Sequence, residues 1–63
     1  MKNETNKELL GKIGITESDI NPTGTILVDG EIYEAISESG HIGKGRGVKI
    51  TRIQGKKIII HRV

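Results

Sequence analysis

Cysteine, tryptophan and phenylalanine are missing from this chain, and Tyr33 is its only aromatic residue. Without cysteine, neither a disulfide nor a thiolate metal cage can staple the fold, so burial alone has to hold it. Long apolar runs are missing too. The longest is Ile58-Ile59-Ile60, far short of the roughly 20 residues of a membrane-spanning helix. The first eight residues, Met1 to Glu8, are polar and lack the apolar stretch of a signal peptide. They are expected to form a flexible tail ahead of one domain over residues 9–63. A 63-residue chain fills a small core and keeps few side chains for a cleft, which argues against a small-molecule substrate and against catalysis.

What the chain does have is isoleucine and glycine. Isoleucine supplies 12 of the 21 apolar residues, and there are nine glycines. β-Branched side chains suit pleated strands, and glycine at this density disfavours long helices. Ile13 and Ile15 alternate with small or polar residues and mark a first strand. Thr23 to Val28 and Glu31 to Ser37 read as two more, joined by Asp29-Gly30, a pair that tolerates the positive φ of a type I′ turn. Asn21-Pro22 stops any helix between the first two strands. Residues 38–47, rich in glycine, read as a loop. Val48 to Ile53 and Lys57 to Arg62 form a hairpin around Gln54-Gly55-Lys56.

Five short strands predict an all-β fold without a substantial helix. Closing it into a five-stranded OB-like β-barrel removes the unpaired edges. Alternation places Ile13, Ile15, Ile26, Val28, Tyr33, Ala35, Val48, Ile50, Ile58 and Ile60 inward. Leu27, Ile32, Ile36, Ile53 and Ile59 then fall out of phase. They are either an exterior partner surface or residues that a bulge turns inward.

Charge is split along the chain. Residues 1–38 hold all eight acids and three bases, a balance of −5, whereas residues 39–63 hold seven bases and no acid, +7. Lys44, Arg46, Lys49, Arg52, Lys56 and Lys57 are candidate anion contacts, with Lys49 facing outward and the turn bases flanking the same end. Three readings compete: a solvated face that discourages edge pairing, contact with anionic lipid at about 1 kcal/mol per base, and a nucleic-acid phosphate site. Single-strand binding leans on base–aromatic stacking of ~1–3 kcal/mol per base, and Tyr33, a core position, is all the chain offers. Gly43 to Gly47 resembles a phosphate nest but lacks the Ser/Thr and following helix of a Walker loop. His41 and His61, without cysteine and with every acid in the other half of the chain, give no metal-ligand spacing, so neither metal nor cofactor is expected. Ser37, Ser39 and His41 sit too close together, with no orienting acid, to form a triad. Glu34, outward between Tyr33 and Ala35, is suited to cross-strand pairing.

The order of segments resembles one family. Gly11-Lys12-Ile13-Gly14-Ile15-Thr16, then Pro22-Thr23-Gly24-Thr25-Ile26, the Asp29-Gly30 turn with Glu31 to Ser37, Gly40-His41-Ile42-Gly43-Lys44-Gly45, Val48-Lys49-Ile50 and the Gly55-turned last strand are similar to the C-terminal soluble domain of NfeD-like membrane proteins. Two positions depart from that pattern: His41 stands where an aromatic is common, and Asn21 where Leu or Arg precedes the proline. The resemblance implies an OB-type barrel attached to transmembrane helices at the cytoplasmic face. It implies a non-catalytic interaction module that acts with stomatin- or flotillin-like membrane proteins. Longer members carry a serine-protease domain, and nothing in this chain matches it. The alternative from another class is an OB-type binder of single-stranded nucleic acid or anionic lipid through the basic half.

Overall fold

The computed structural model describes residues 7–63. The tail expected over residues 1–8 therefore lies outside the described residues except at its end, where a short 3-10 helix, Lys7–Leu9, opens the fold. Five strands come after it: β1 Ile13–Thr16, β2 Thr23–Val28, β3 Glu31–Ser37, β4 Gly47–Gln54 and β5 Lys57–Arg62. They close into a barrel in the order β1-β2-β3-β5-β4. Every pairing is antiparallel except β3 with β5. The all-β, five-stranded OB-like expectation is borne out. Asp29 and Gly30 both have positive φ (51° and 83°), as the type I′ turn requires.

Ile26, Val28, Ala35, Val48, Ile50, Ile58 and Ile60 are buried as expected, with Tyr33 packed at the margin. Ile13 and Ile15 are not: both face solvent, and Gly14 and Thr16 take the inward positions. Alternation shows which residues share a face but not which face is inside, and here local geometry decides. A Cβ on Gly14 would lie 2.7 Å from the Leu27 carbonyl oxygen and 2.7 Å from Val28 Cγ2, so β1 crosses β2 too closely for a side chain. Thr16 is needed inside as a clamp. Its Oγ1 donates to the Gly43 carbonyl (2.7 Å) and accepts from the Arg46 amide (2.8 Å).

The barrel ends are closed by residues without strand periodicity. Leu9 is buried before β1. Beyond the other end of β1, Ile20 and Ile42 exchange both backbone hydrogen bonds (2.8 and 2.9 Å), and both are fully buried. The loop between β3 and β4 is therefore partly core. Its Lys44, Gly45 and Arg46 amides donate to Asp19 Oδ1 (2.9 Å), the Thr16 carbonyl (2.8 Å) and Thr16 Oγ1 (2.8 Å). All three are spent internally, which corrects the nest-like reading of this loop.

A bulge at Thr51 shifts the β4–β5 register between Ile50↔Ile60 and Arg52↔Ile59. One extra residue reverses the phase of the remainder of β4. Ile53 is thereby brought level with Ile58 and packs against the core.

Candidate interaction surface

The five out-of-phase aliphatics do not stay together. Ile53 is turned inward by the bulge. Ile59 faces outward but is only 6% exposed, because its cross-strand neighbours Ile36 and Arg52 flank it on both sides. Ile36 is half-buried. Leu27 and Ile32 remain, and the barrel adds two residues that alternation had placed inside.

Ile15 on β1 is level with Leu27 on β2, and Leu27 with Ile32 on β3. Directly opposed residues of antiparallel strands share a face at about 5 Å, so these three form an unbroken exterior row. Ile13, two residues before Ile15, extends it along β1. Ile13 (55% exposed), Ile15 (46%) and Ile32 (56%) are three of the chain's most exposed large hydrophobics. Leu27 is half-buried between the last two. Sequence reasoning missed Ile13 and Ile15. The signal that could have found them is Gly14, since glycine inside a strand often marks close backbone approach.

The row ends at a base. Lys49 on β4 is level with Ile13 on one side and His61 on the other, and it is exposed as expected. The remaining candidate bases do not converge, which corrects the expectation that the turn bases flank one end. Lys44 and Arg46 precede β4, and Lys56 and Lys57 come after it. The eight residues of that strand separate the two pairs by roughly 25 Å. Arg52 is held by Glu38, Nη2 to Oε2, at 2.8 Å. Near the β2–β3 turn, Lys12 donates to Asp29 at 2.9 Å. That hydrogen bond, followed by the Asp29 charge, raises the Lys12 pKa above its ordinary value. Glu34 is exposed and level with Thr25, so its cross-strand neighbour is a hydroxyl and not a base.

This arrangement has no converging polar groups around a reacting atom; it has an apolar row on a rigid wall. Over residues 6–62 the chain matches the family model described as the NfeD-like C-terminal, partner-binding domain. The chain belongs to this family. The resemblance drawn from the order of its glycine and isoleucine segments is thereby borne out. The C-terminal domain of stomatin operon partner protein 1510-C from Pyrococcus horikoshii has 33% identity to this NfeD-like domain. It superposes with a TM-score of 0.87 over 98% of this chain and 97% of that one. The soluble domain of a membrane protein implicated in regulation of membrane protease activity, from Corynebacterium glutamicum, is 26% identical, with a TM-score of 0.77 over 86% and 90%. Among curated proteins, membrane protein NfeD1b of Bacillus subtilis is 32% identical over 63 residues, all of this chain. Membrane-bound protease PH1510 of Pyrococcus horikoshii is 38% identical over 57 residues, 89% of the chain. The NfeD-like domain spans only 14% and 13% of the lengths of those two proteins.

Proposed function

We propose that the domain is a non-catalytic docking module of a membrane-anchored NfeD-like protein. Carried on the transmembrane helices of its parent, it binds a stomatin- or flotillin-type membrane protein at the cytoplasmic face through Ile13, Ile15, Leu27 and Ile32. The observation that carries this reading is the unbroken row Ile15–Leu27–Ile32 across three adjacent strands. Scattered exposed aliphatics are ordinary, but a contiguous set on a rigid wall marks a contact surface. Fully burying an exposed isoleucine is worth about 1.5–3 kcal/mol, so covering these roughly half-exposed side chains supplies about 1 kcal/mol each. The partner-binding description of the family and the stomatin operon origin of the Pyrococcus relative support the choice of partner.

The test is binding to a stomatin-like protein in lipid nanodiscs. The Ile15→Asp/Ile32→Asp variant is expected to keep its fold and to lose about tenfold or more in affinity. Binding of the unaltered domain is expected to hold between about 50 and about 500 mM salt, because apolar contact is not screened. Undiminished binding by the variant would overturn the assignment of this surface. Steep loss with salt would transfer the role to the bases.

A further inference from the structure

The seam between β3 and β5 is incompletely zipped. β3 is seven residues long and is paired with β2 from Thr23↔Ile36 to Val28↔Glu31. It meets β5 at only two positions, Ile36↔Ile59 and Ser37↔Ile60. In a two-residue hairpin the residues flanking the turn form a hydrogen-bonded pair, and the status alternates along the ladder. Glu31, Tyr33 and Ala35 therefore turn their backbone groups toward β2, and Ile32 and Glu34 turn theirs toward the seam. By the same parity, Gln54 and Lys57 bond to each other around Gly55-Lys56, so Ile58 also points its backbone groups at the seam. Among the described residues no strand pairs with the seam side of Ile32 or Glu34. A groove of about 380 Å³ adjoins the Glu34 end of this stretch, with Thr25 of β2 and Glu34 and Ile36 of β3 on one wall and Lys56, Lys57 and Ile58 on the other; Ile32 lies outside it.

From this we infer that the β3–β5 seam is a second binding site, which takes an extended peptide segment of a protein partner as an added strand on β3. Unpaired N–H and C=O groups two residues apart on a strand edge are complemented by another backbone. Neither a sugar nor a nucleic acid repeats donors and acceptors in that way. The occupant carries a carboxylate beside Lys56 and Lys57. Among the described residues the only ion pairs are Lys12–Asp29 and Arg52–Glu38, which leaves those two ammonium groups for a ligand. The site does not depend on the side chains of the aliphatic row, since its groups are backbone atoms and the ammonium groups of Lys56 and Lys57.

The experiment is an amide NMR titration of the 63-residue chain with a blocked Thr-Val-Thr-Val-Glu peptide to a few times ~1 mM, the affinity range of a short strand. Shifts and slowed hydrogen exchange are expected at Glu34 and Ile58, with Ile13 and Ile15 unmoved. A peptide N-methylated at alternate residues should not bind. Lys56→Glu/Lys57→Glu, changed only at exposed side chains, should weaken the parent peptide about two- to fivefold. No shift at the highest concentration, equal binding of the N-methylated peptide, or shifts confined to Ile13, Ile15 and Leu27 would each overturn the site. So would an oligothymidine that moves the same amides at lower concentration. The nanodisc assay tests the aliphatic row separately.

Discussion

Truncating Ile42 to alanine should cost far more than the same truncation at Ile32. Ile42 sits in a glycine-rich loop yet is 1% exposed, whereas Ile32 sits in a regular strand and is 56% exposed. The change removes three carbons, worth about 0.8 kcal/mol each when buried. The cavity left behind raises the expected cost at Ile42 to about 2–5 kcal/mol. A domain of 63 residues has a total stability of about 3–9 kcal/mol at ordinary per-residue values, so Ile42→Ala removes much of it and lowers the melting temperature by about 10 °C or more, at about 4–8 °C per kcal/mol. Ile32→Ala loses little burial and some strand preference, about 0.5–1 kcal/mol.

Urea unfolding followed by far-ultraviolet circular dichroism measures both, with Tyr33 fluorescence as a second probe. If Ile42→Ala is too unstable to study, Ile42→Val should still cost about 0.5–1.5 kcal/mol. Because Ile20 and Ile42 bond to each other, the double variant Ile20→Val/Ile42→Val should depart from additivity. Equal cost at Ile42 and Ile32 would refute the reasoning. It would mean that the β3–β4 loop opens without disturbing the barrel.

Gly14→Ala should destabilise by about 1–3 kcal/mol, because the new Cβ meets the Leu27 carbonyl and Val28 Cγ2 at 2.7 Å. Gly43→Ala, with nothing within 4 Å, should stay within about 0.5 kcal/mol in the same urea assay; equal midpoints for the two would remove the stated reason for the orientation of β1. The Lys12–Asp29 pair sets an alkaline dependence. The Lys12 pKa is raised above its ordinary 10.5, so its contribution is fully present below that value and is lost as pH rises through the higher folded-state value. The stability difference between the unaltered chain and Lys12→Met should therefore be constant from neutral pH to about pH 9 and shrink near about pH 11. A difference that disappears before about pH 9 would show that the pair is not formed in solution.

The strands were legible because two local signals agreed along most of the chain. Aliphatics run unbroken from Ile26 to Val28 and alternate from Val48 to Ile50, and turn residues stand where the hairpins need them, at Asp29-Gly30 and Gly55. The side each strand presents was legible only where one set was polar. In β1 the two sets are isoleucines against glycine and threonine, and hydrophobicity favours the wrong one. Close crossing with β2 and the need for a hydroxyl beside Gly43 and Arg46 decide the matter, and both are long-range facts. Ile20 and Ile42 were illegible for a related reason. Each stands alone in a polar connection, and their pairing joins segments 22 positions apart. The Thr51 bulge removed Ile53 from the proposed surface, while Leu27 and Ile32 kept their place in it.

The two proposed contacts meet at one residue. The side chain of Ile32 belongs to the aliphatic row, while its backbone groups face the seam between β3 and β5. A single extended segment that added to β3 would thus lie beside Ile32, with β3 between it and Leu27, and its outward side chains would continue the aliphatic row by one strand. Side-chain contact alone gives little orientation, and a two-residue edge alone gives little affinity. Joined by a short span, the second contact forms at high effective concentration, and the combined affinity exceeds either part without further surface. A barrel this small gains most from such an arrangement. The close crossing that puts Gly14 and Thr16 inward sets Ile13 and Ile15 outside, on the same wall as the side chain of Ile32.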